Sequence, residues 1–282
     1  MTIDVVAACW TTAGPAEPLG PDDRSPVPIR DRVELASAAG FTGFGIRHGD
    51  LLAVESEMGF SEFRRILDAN GMKFLDVEFL EGWYARDETR ARSDRQRADF
   101  LRAAAELGVN LIKVGGNLSG GAYDVNQVAE EFAILGEQAH RAGAKIGLEP
   151  MPFADITDAA AGLEVVLRAD HPSAGLFLDL WHIGRAGTDV TSLADIPVKC
   201  IAGVELADAD REVRGPLLHD TVNHRRFPGE GVLDVAGFVN AVTKTGFSGP
   251  WGIEMLSTDY REMPVPIAAR RAFASAAAYL QS

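Results

Sequence analysis

Short apolar runs alternate with longer stretches of helical spacing at a steady interval along the chain. The first run is Val5–Trp10, followed by a Pro/Gly-rich loop and a helical stretch, Ile29–Ala39, that Gly40 ends. Phe41–Arg47 is the second run, and the helix Phe60–Asn70 behind it stops at Gly71, the residue type that tolerates the left-handed cap. The phrase then repeats as Met72–Phe79 with Arg90–Leu107, Val109–Val114 with Val125–Ala142, and Ala144–Glu149 with Asp158–Ala169, where Asp158 is placed to cap its helix. Ala174–Asp179 precedes a short helical piece near Val190–Ala194. Lys199–Leu206 precedes a long loop and the helix Val235–Thr245, and Trp251–Met255 precedes Ile267–Leu280. Eight strands and eight helices, at about 35 residues per unit, predict an α/β chain folded as a single (β/α)8 TIM barrel over residues 1–282. A doubly wound sheet would carry Gly-x-Gly-x-x-Gly after its first strand, and that motif is missing here.

Composition narrows the class. With 46% hydrophobic and 24% charged residues, the 282-residue chain can bury one large core without staples. Its formal charge of −14, from 27 basic and 41 acidic residues, argues against nucleic-acid binding, which draws its affinity from Lys and Arg on phosphates. Arg90–Arg97, the most basic stretch, is interrupted by Ser93 and Asp94 and reads as a solvated helix face. Cys9 and Cys200 lie far apart in apolar surroundings, as buried thiols do. Asp4 stands where a signal peptide needs a basic and then apolar start, and no apolar run approaches the roughly 20 residues of a spanning helix. A cytoplasmic protein with no membrane partner is expected.

The chemistry is expected at the C-terminal ends of the strands, where barrel enzymes carry their working residues. Strand five ends Gly147-Leu148-Glu149, strand seven Gly203-Val204-Glu205, and strand eight Gly252-Ile253-Glu254. Residues two apart share a strand face, so each acid has a glycine beneath it and apolar residues opposite. The acids therefore point into the barrel mouth, and the glycines leave room there for something other than side chains. Strand six adds Asp179, and strand three places Glu78 on the face of Asp76. Alternation between Ile112 and Val114 turns Lys113 inward, Arg47 and His48 end strand two near the mouth, and Trp10 and Trp181 are candidate walls of the pocket. Carboxylates this close repel by several kcal/mol unless neutralised. A divalent cation does this economically, and oxygen donors favour Mn²⁺ or Mg²⁺ over Zn²⁺. The competing reading is that individual acids cap helices or pair with arginines.

At Leu148-Glu149-Pro150, Asp179-Leu180-Trp181-His182, Leu206-Ala207-Asp208 and Gly252-Ile253-Glu254 the chain resembles the xylose isomerase-like TIM-barrel superfamily of sugar isomerases, epimerases and dehydratases. The resemblance implies a metal quartet at Glu149, Asp179, Glu205 and Glu254. Glu205 departs from it, standing where most members carry His and some dehydratase-like members resemble Gln. It further implies that His182 and Arg211 bind substrate. The run His224-Arg225-Arg226-Phe227-Pro228-Gly229 resembles the loop after strand seven in the dehydroshikimate-dehydratase-like branch, where His224 would meet an anionic or polyhydroxylated ligand. Arg47, Lys113 and Glu78 complete the candidate substrate-binding set.

A cation chelating a carbonyl beside two glutamates suits proton abstraction next to that carbonyl. Glu149 and Glu254 would be the base and acid in an isomerase or epimerase acting on a keto sugar or related small polyhydroxylated ketone. A dehydratase of a cyclic polyol ketone is the alternative, and a non-catalytic sugar-binding or partner subunit with a degenerate metal site is the rival from another class. The resemblance also makes a homodimer the expected assembly.

Overall fold

The computed structural model describes residues 3–20, 22 and 24–281. Eight parallel strands close into a barrel: β1 (Val5–Ala7), β2 (Gly43–Arg47), β3 (Phe74–Leu80), β4 (Leu111–Gly115), β5 (Lys145–Glu149), β6 (Ala174–Asp179), β7 (Ile201–Leu206) and β8 (Trp251–Ile253). Most strand residues are buried, because the outward face is covered by helices and the inward face by the opposite strands. Between them run amphipathic helices. Phe60–Ala69, for example, buries Phe60, Phe63, Ile66 and Leu67 at helical spacing.

Helix ends follow local chemistry closely. The helix Ile29–Ala39 ends at Gly40, whose φ of 111° only glycine adopts freely. Asp158 accepts a hydrogen bond from the Ala161 N–H at the start of Ala159–Ala169, and Asp124 does the same for the helix Val125–Arg141.

The structure differs from the expected pattern at the barrel mouth. Cys9 and Trp10 leave the first strand for a 3-10 turn, Cys9–Thr12, and short helices occupy His48–Glu57, Leu180–Arg185 and Leu217–Asn223. Within the long loop after β7, Asp208–Ala209 and Arg225–Arg226 form a two-residue antiparallel ribbon. Apart from His48–Glu57, these pieces are too short to show a period.

The glycines at strand ends do not leave open space. A Cβ on Gly203 would meet the Phe177 ring at 2.7 Å, one on Gly147 would meet the Phe177 Cβ at 3.1 Å, and one on Gly252 would lie 2.7 Å from Glu205 Oε1. The room they create is filled by Phe177 and by Glu205 itself. Cys9 and Cys200 are buried free thiols, and no helix among the described residues is long and apolar enough to cross a membrane.

Candidate metal and substrate site

Inward-facing acids stand at successive strand ends: Glu78 on β3, Glu149 on β5, Asp179 on β6, Glu205 on β7, and Glu254 just past β8. All five are buried. Register aligns Asp179 with Glu205 and Gly252 with Glu205, so the carboxylates converge on one level of the barrel. Oxygens of Asp179, Glu205 and Glu254 lie within 4.8 Å of one another, as do ligand atoms of Glu149, Asp179 and His182. The two trios share Asp179, and their donor set is that of a hard divalent cation with room for one imidazole.

Two buried cations thread this ring. The Lys113 ammonium donates to both oxygens of Glu205, each at 2.9 Å, lies 3.2 Å from Glu78 Oε2, and sits 4.4 Å from the centre of the Phe177 ring. Arg225 Nη1 donates to Asp179 Oδ2 at 2.7 Å, and its Nη2 lies 3.2 Å from Glu254 Oε2. Thr221 Oγ1 accepts from the same guanidinium, which also lies over the Trp181 ring. Glu78 is held from its other side, where Oε1 accepts the Cys9 backbone N–H at 3.1 Å.

Proton affinities follow from this competition. Burial pushes the Glu149 and Glu205 carboxyls well above the usual range and raises Glu254 as well. Burial is the largest single influence on Asp179 and Glu78 too, but Arg225, His182 and the Trp181 N–H together outweigh it at the first, and Lys113, the Cys9 N–H and Arg47 together at the second, so both are held below the ordinary value. His182 is pushed down to about 3 by burial, which keeps its imidazole neutral across physiological pH. Its Nε2 lies 3.7 Å from Glu149 Oε1, and its Nδ1 has no hydrogen-bond partner among the described residues.

A small cavity of about 120 Å³ opens above the ring, lined among others by Trp10, Arg47, Glu78, Glu149, His182 and Glu254. Arg47 stacks over Trp10 with its guanidinium carbon 4.9 Å from the ring centre. Trp181 does not line this cavity and packs instead with Ala207 and Ala209. His48 turns away to start a helix, where its Nε2 pairs with Asp99 at 2.8 Å. Arg211 is exposed, and neither it nor His224 is part of the cavity lining. The ring of His224 packs on His219, and its backbone bridges Ser257. Arg225 takes the central position that the sequence reading had divided between Arg211 and His224. Only the two-residue ribbon distinguishes Arg225 from Arg226: across it the first pairs with Asp179 and the second with Asp210.

Comparisons with known proteins agree with this architecture. A 3-dehydroshikimate dehydratase of Pseudomonas putida is 30% identical over 241 residues, 84% of this chain but 37% of the dehydratase, so the chain spans little more than a third of that protein's length. An inosose isomerase of Bacillus subtilis is 27% identical over 131 residues, 46% of each protein. Among solved structures, the IOLI protein with a bound zinc atom superposes with a TM-score of 0.86 at 19% identity, over 99% of this chain and 98% of that one. The family model described as a xylose isomerase-like TIM barrel matches residues 33–281, and the chain belongs to that family.

Proposed function

We propose that this protein abstracts a proton beside the carbonyl of a polyhydroxylated ketone, with loss of water from the resulting enolate as the leading reaction. The observation that carries this reading is the pair of buried trios that meet at Asp179, one with Glu205 and Glu254 and one with Glu149 and His182, each with its ligand atoms within 4.8 Å of one another. Glu149, Asp179, Glu205 and Glu254 would hold the ion, with Mn²⁺ or Mg²⁺ preferred by the oxygen donors. When bound, a divalent cation polarises the ketone oxygen and stabilises the charge that develops on it.

The protein's own groups do the rest. Glu149 and Glu254 border the cavity from β5 and from beyond β8, so one can take the proton while the other donates. Burial raises the proton affinity of both, which suits groups that must hold a proton between steps. In dehydration the C–H electron pair becomes the new C=C bond, and the β-hydroxyl leaves as water after taking a proton from the acid. Neutral His182 can bond a substrate hydroxyl, and Arg47 at the cavity wall supplies positive charge for an anionic substituent. The 84% coverage by a named dehydratase favours water loss. The match to an inosose isomerase supports a second reading, in which the same enolate is reprotonated to give an isomer or epimer.

The test is incubation of the Mn²⁺-loaded protein with 3-dehydroshikimate and with inososes in D₂O. Deuterium uptake beside the carbonyl reports the shared proton abstraction, and growth of ultraviolet absorbance from a conjugated product reports dehydration. Glu149→Gln is expected to lower either rate by about 100-fold or more. Absence of exchange and turnover with Mn²⁺, Mg²⁺ and Zn²⁺ overturns the proposal.

A further inference from the structure

Four carboxylates around one divalent ion carry two more negative charges than the ion can balance; Arg225 partly offsets Asp179 and Glu254, and Glu205 is held by the Lys113 ammonium through both of its oxygens. We infer that Lys113 and Glu205 act as a single neutral unit, in which Glu205 serves as a charge-compensated cation ligand and Lys113 is the positioning residue that makes a glutamate tolerable there. This rests on the cation-dependent reading of the site and specifies how one of its ligands works.

Three independent features of the barrel interior are built around this pair. Both oxygens of Glu205 accept from the Lys113 ammonium at 2.9 Å, a symmetric contact that fixes the carboxylate plane and leaves lone pairs on each oxygen. The ammonium rests on the Phe177 ring at 4.4 Å, and Phe177 fits because Gly147 and Gly203 have no side chains. Glu205 Oε1 occupies the space that a Cβ on Gly252 would take, 2.7 Å away. Glu78 closes the far side of the ammonium at 3.2 Å and is itself tied to the Cys9 N–H, so Lys113 cannot swing out without leaving two buried acids unpaired. The unit subtracts one charge from the ring, and Arg225 between Asp179 and Glu254 subtracts another, while Glu205 still offers the ion an oxygen.

The opposite signs of the single-variant effects make this testable. Lys113→Met leaves Glu205 uncompensated, so Mn²⁺ should bind about tenfold tighter or more, while the EDTA-treated protein melts lower than wild type. Glu205→Gln removes a charge and leaves Lys113 to Glu78, so Mn²⁺ should bind about tenfold weaker or more. Lys113→Met/Glu205→Gln removes both charges together and should return the Mn²⁺ affinity to within about threefold of wild type. It also keeps the test open if Lys113→Met alone does not fold. Affinity is measured by titration calorimetry with Mn²⁺ alone, and stability by melting in EDTA, so neither readout needs turnover.

A double variant whose Mn²⁺ affinity departs from wild type by about tenfold or more overturns the unit, as does weaker Mn²⁺ binding by Lys113→Met. Unchanged Mn²⁺ affinity in Glu205→Gln shows that Glu205 is not a ligand and overturns the inference while the cation site stands. Failure of the wild-type protein to bind Mn²⁺, Mg²⁺ or Zn²⁺ overturns the cation-dependent reading itself, and the ligand role of Glu205 falls with it.

Discussion

Asp76 shows how one inward-facing residue can set a pH response for the fold. It lies two residues below Glu78 on β3, buried, at the wall of a cavity of about 440 Å³ at the N-terminal end of the barrel. Burial pushes its carboxyl up to about 7. Between the ordinary carboxylate value and about 7 the folded protein therefore holds a proton that the unfolded chain has released, and stability falls as pH rises through that window. Asp76→Asn should melt above wild type at pH 8, with the difference shrinking toward pH 4; an advantage independent of pH would refute this. At this scale the sequence was informative wherever strand alternation applied. Glu149, Asp179, Glu205, Glu254 and Lys113 all face inward as their positions dictate, because a strand has a fixed period of two. Arg225 was not singled out, since it sits in a long loop where no period exists and only the two-residue ribbon decides which arginine turns in.

That loop is held by an anchor made from a single side chain. Asp208, fully buried, accepts backbone N–H groups from Ala209 and Leu233 on one oxygen and from Gly229 and Gly231 on the other, at 2.8–3.0 Å. Gly231 has to lack a side chain, because a Cβ there would press on the Ala209 carbonyl and on Asp208. The anchor draws the two ends of the loop together and so fixes the ribbon that delivers Arg225 to Asp179 and Glu254. Asp208→Ala should cost about 2–4 kcal/mol, since four backbone N–H donors lose a fully buried charged acceptor. Proteolysis should then cut first within residues 210–230, and protection of that segment equal to wild type would count against the anchor. The helix Ile29–Ala39 and the strand Ala174–Asp179 match their expected bounds. Other strand ends were less legible from the sequence. Trp251–Met255 shortens to Trp251–Ile253 because the chain must bend outward to bring Glu254 and Ser257 to the mouth, where Ser257 bridges His224.

At the level of the whole molecule, the proposed cation would couple barrel closure to the carboxylate ring. The unfolded chain cannot gather these acids from separate strands, so such an ion would bind the native state selectively. Adding Mn²⁺ at a hundredfold excess over its dissociation constant should stabilise the EDTA-treated protein by about 2.7 kcal/mol, a rise of about 5 °C or more in melting temperature. An unchanged melt would refute a resident ion. The (β/α)8 architecture itself was readable because the strand–helix phrase recurs eight times, whereas the pairing of the mouth charges depends on distances between strands far apart in sequence. The seam shows what that separation means. β1 and β8, three residues each, meet through Val5↔Trp251, Val6↔Gly252 and Ala7↔Ile253. Glu254 lies immediately beyond this junction, and Thr11, just past β1, donates its hydroxyl to the Ile253 carbonyl. During synthesis on the ribosome, then, the first strand keeps an unpaired edge until Trp251–Ile253 has emerged. The last carboxylate of the ring arrives with the same segment that closes that edge, so completion of the site and completion of the fold are one event.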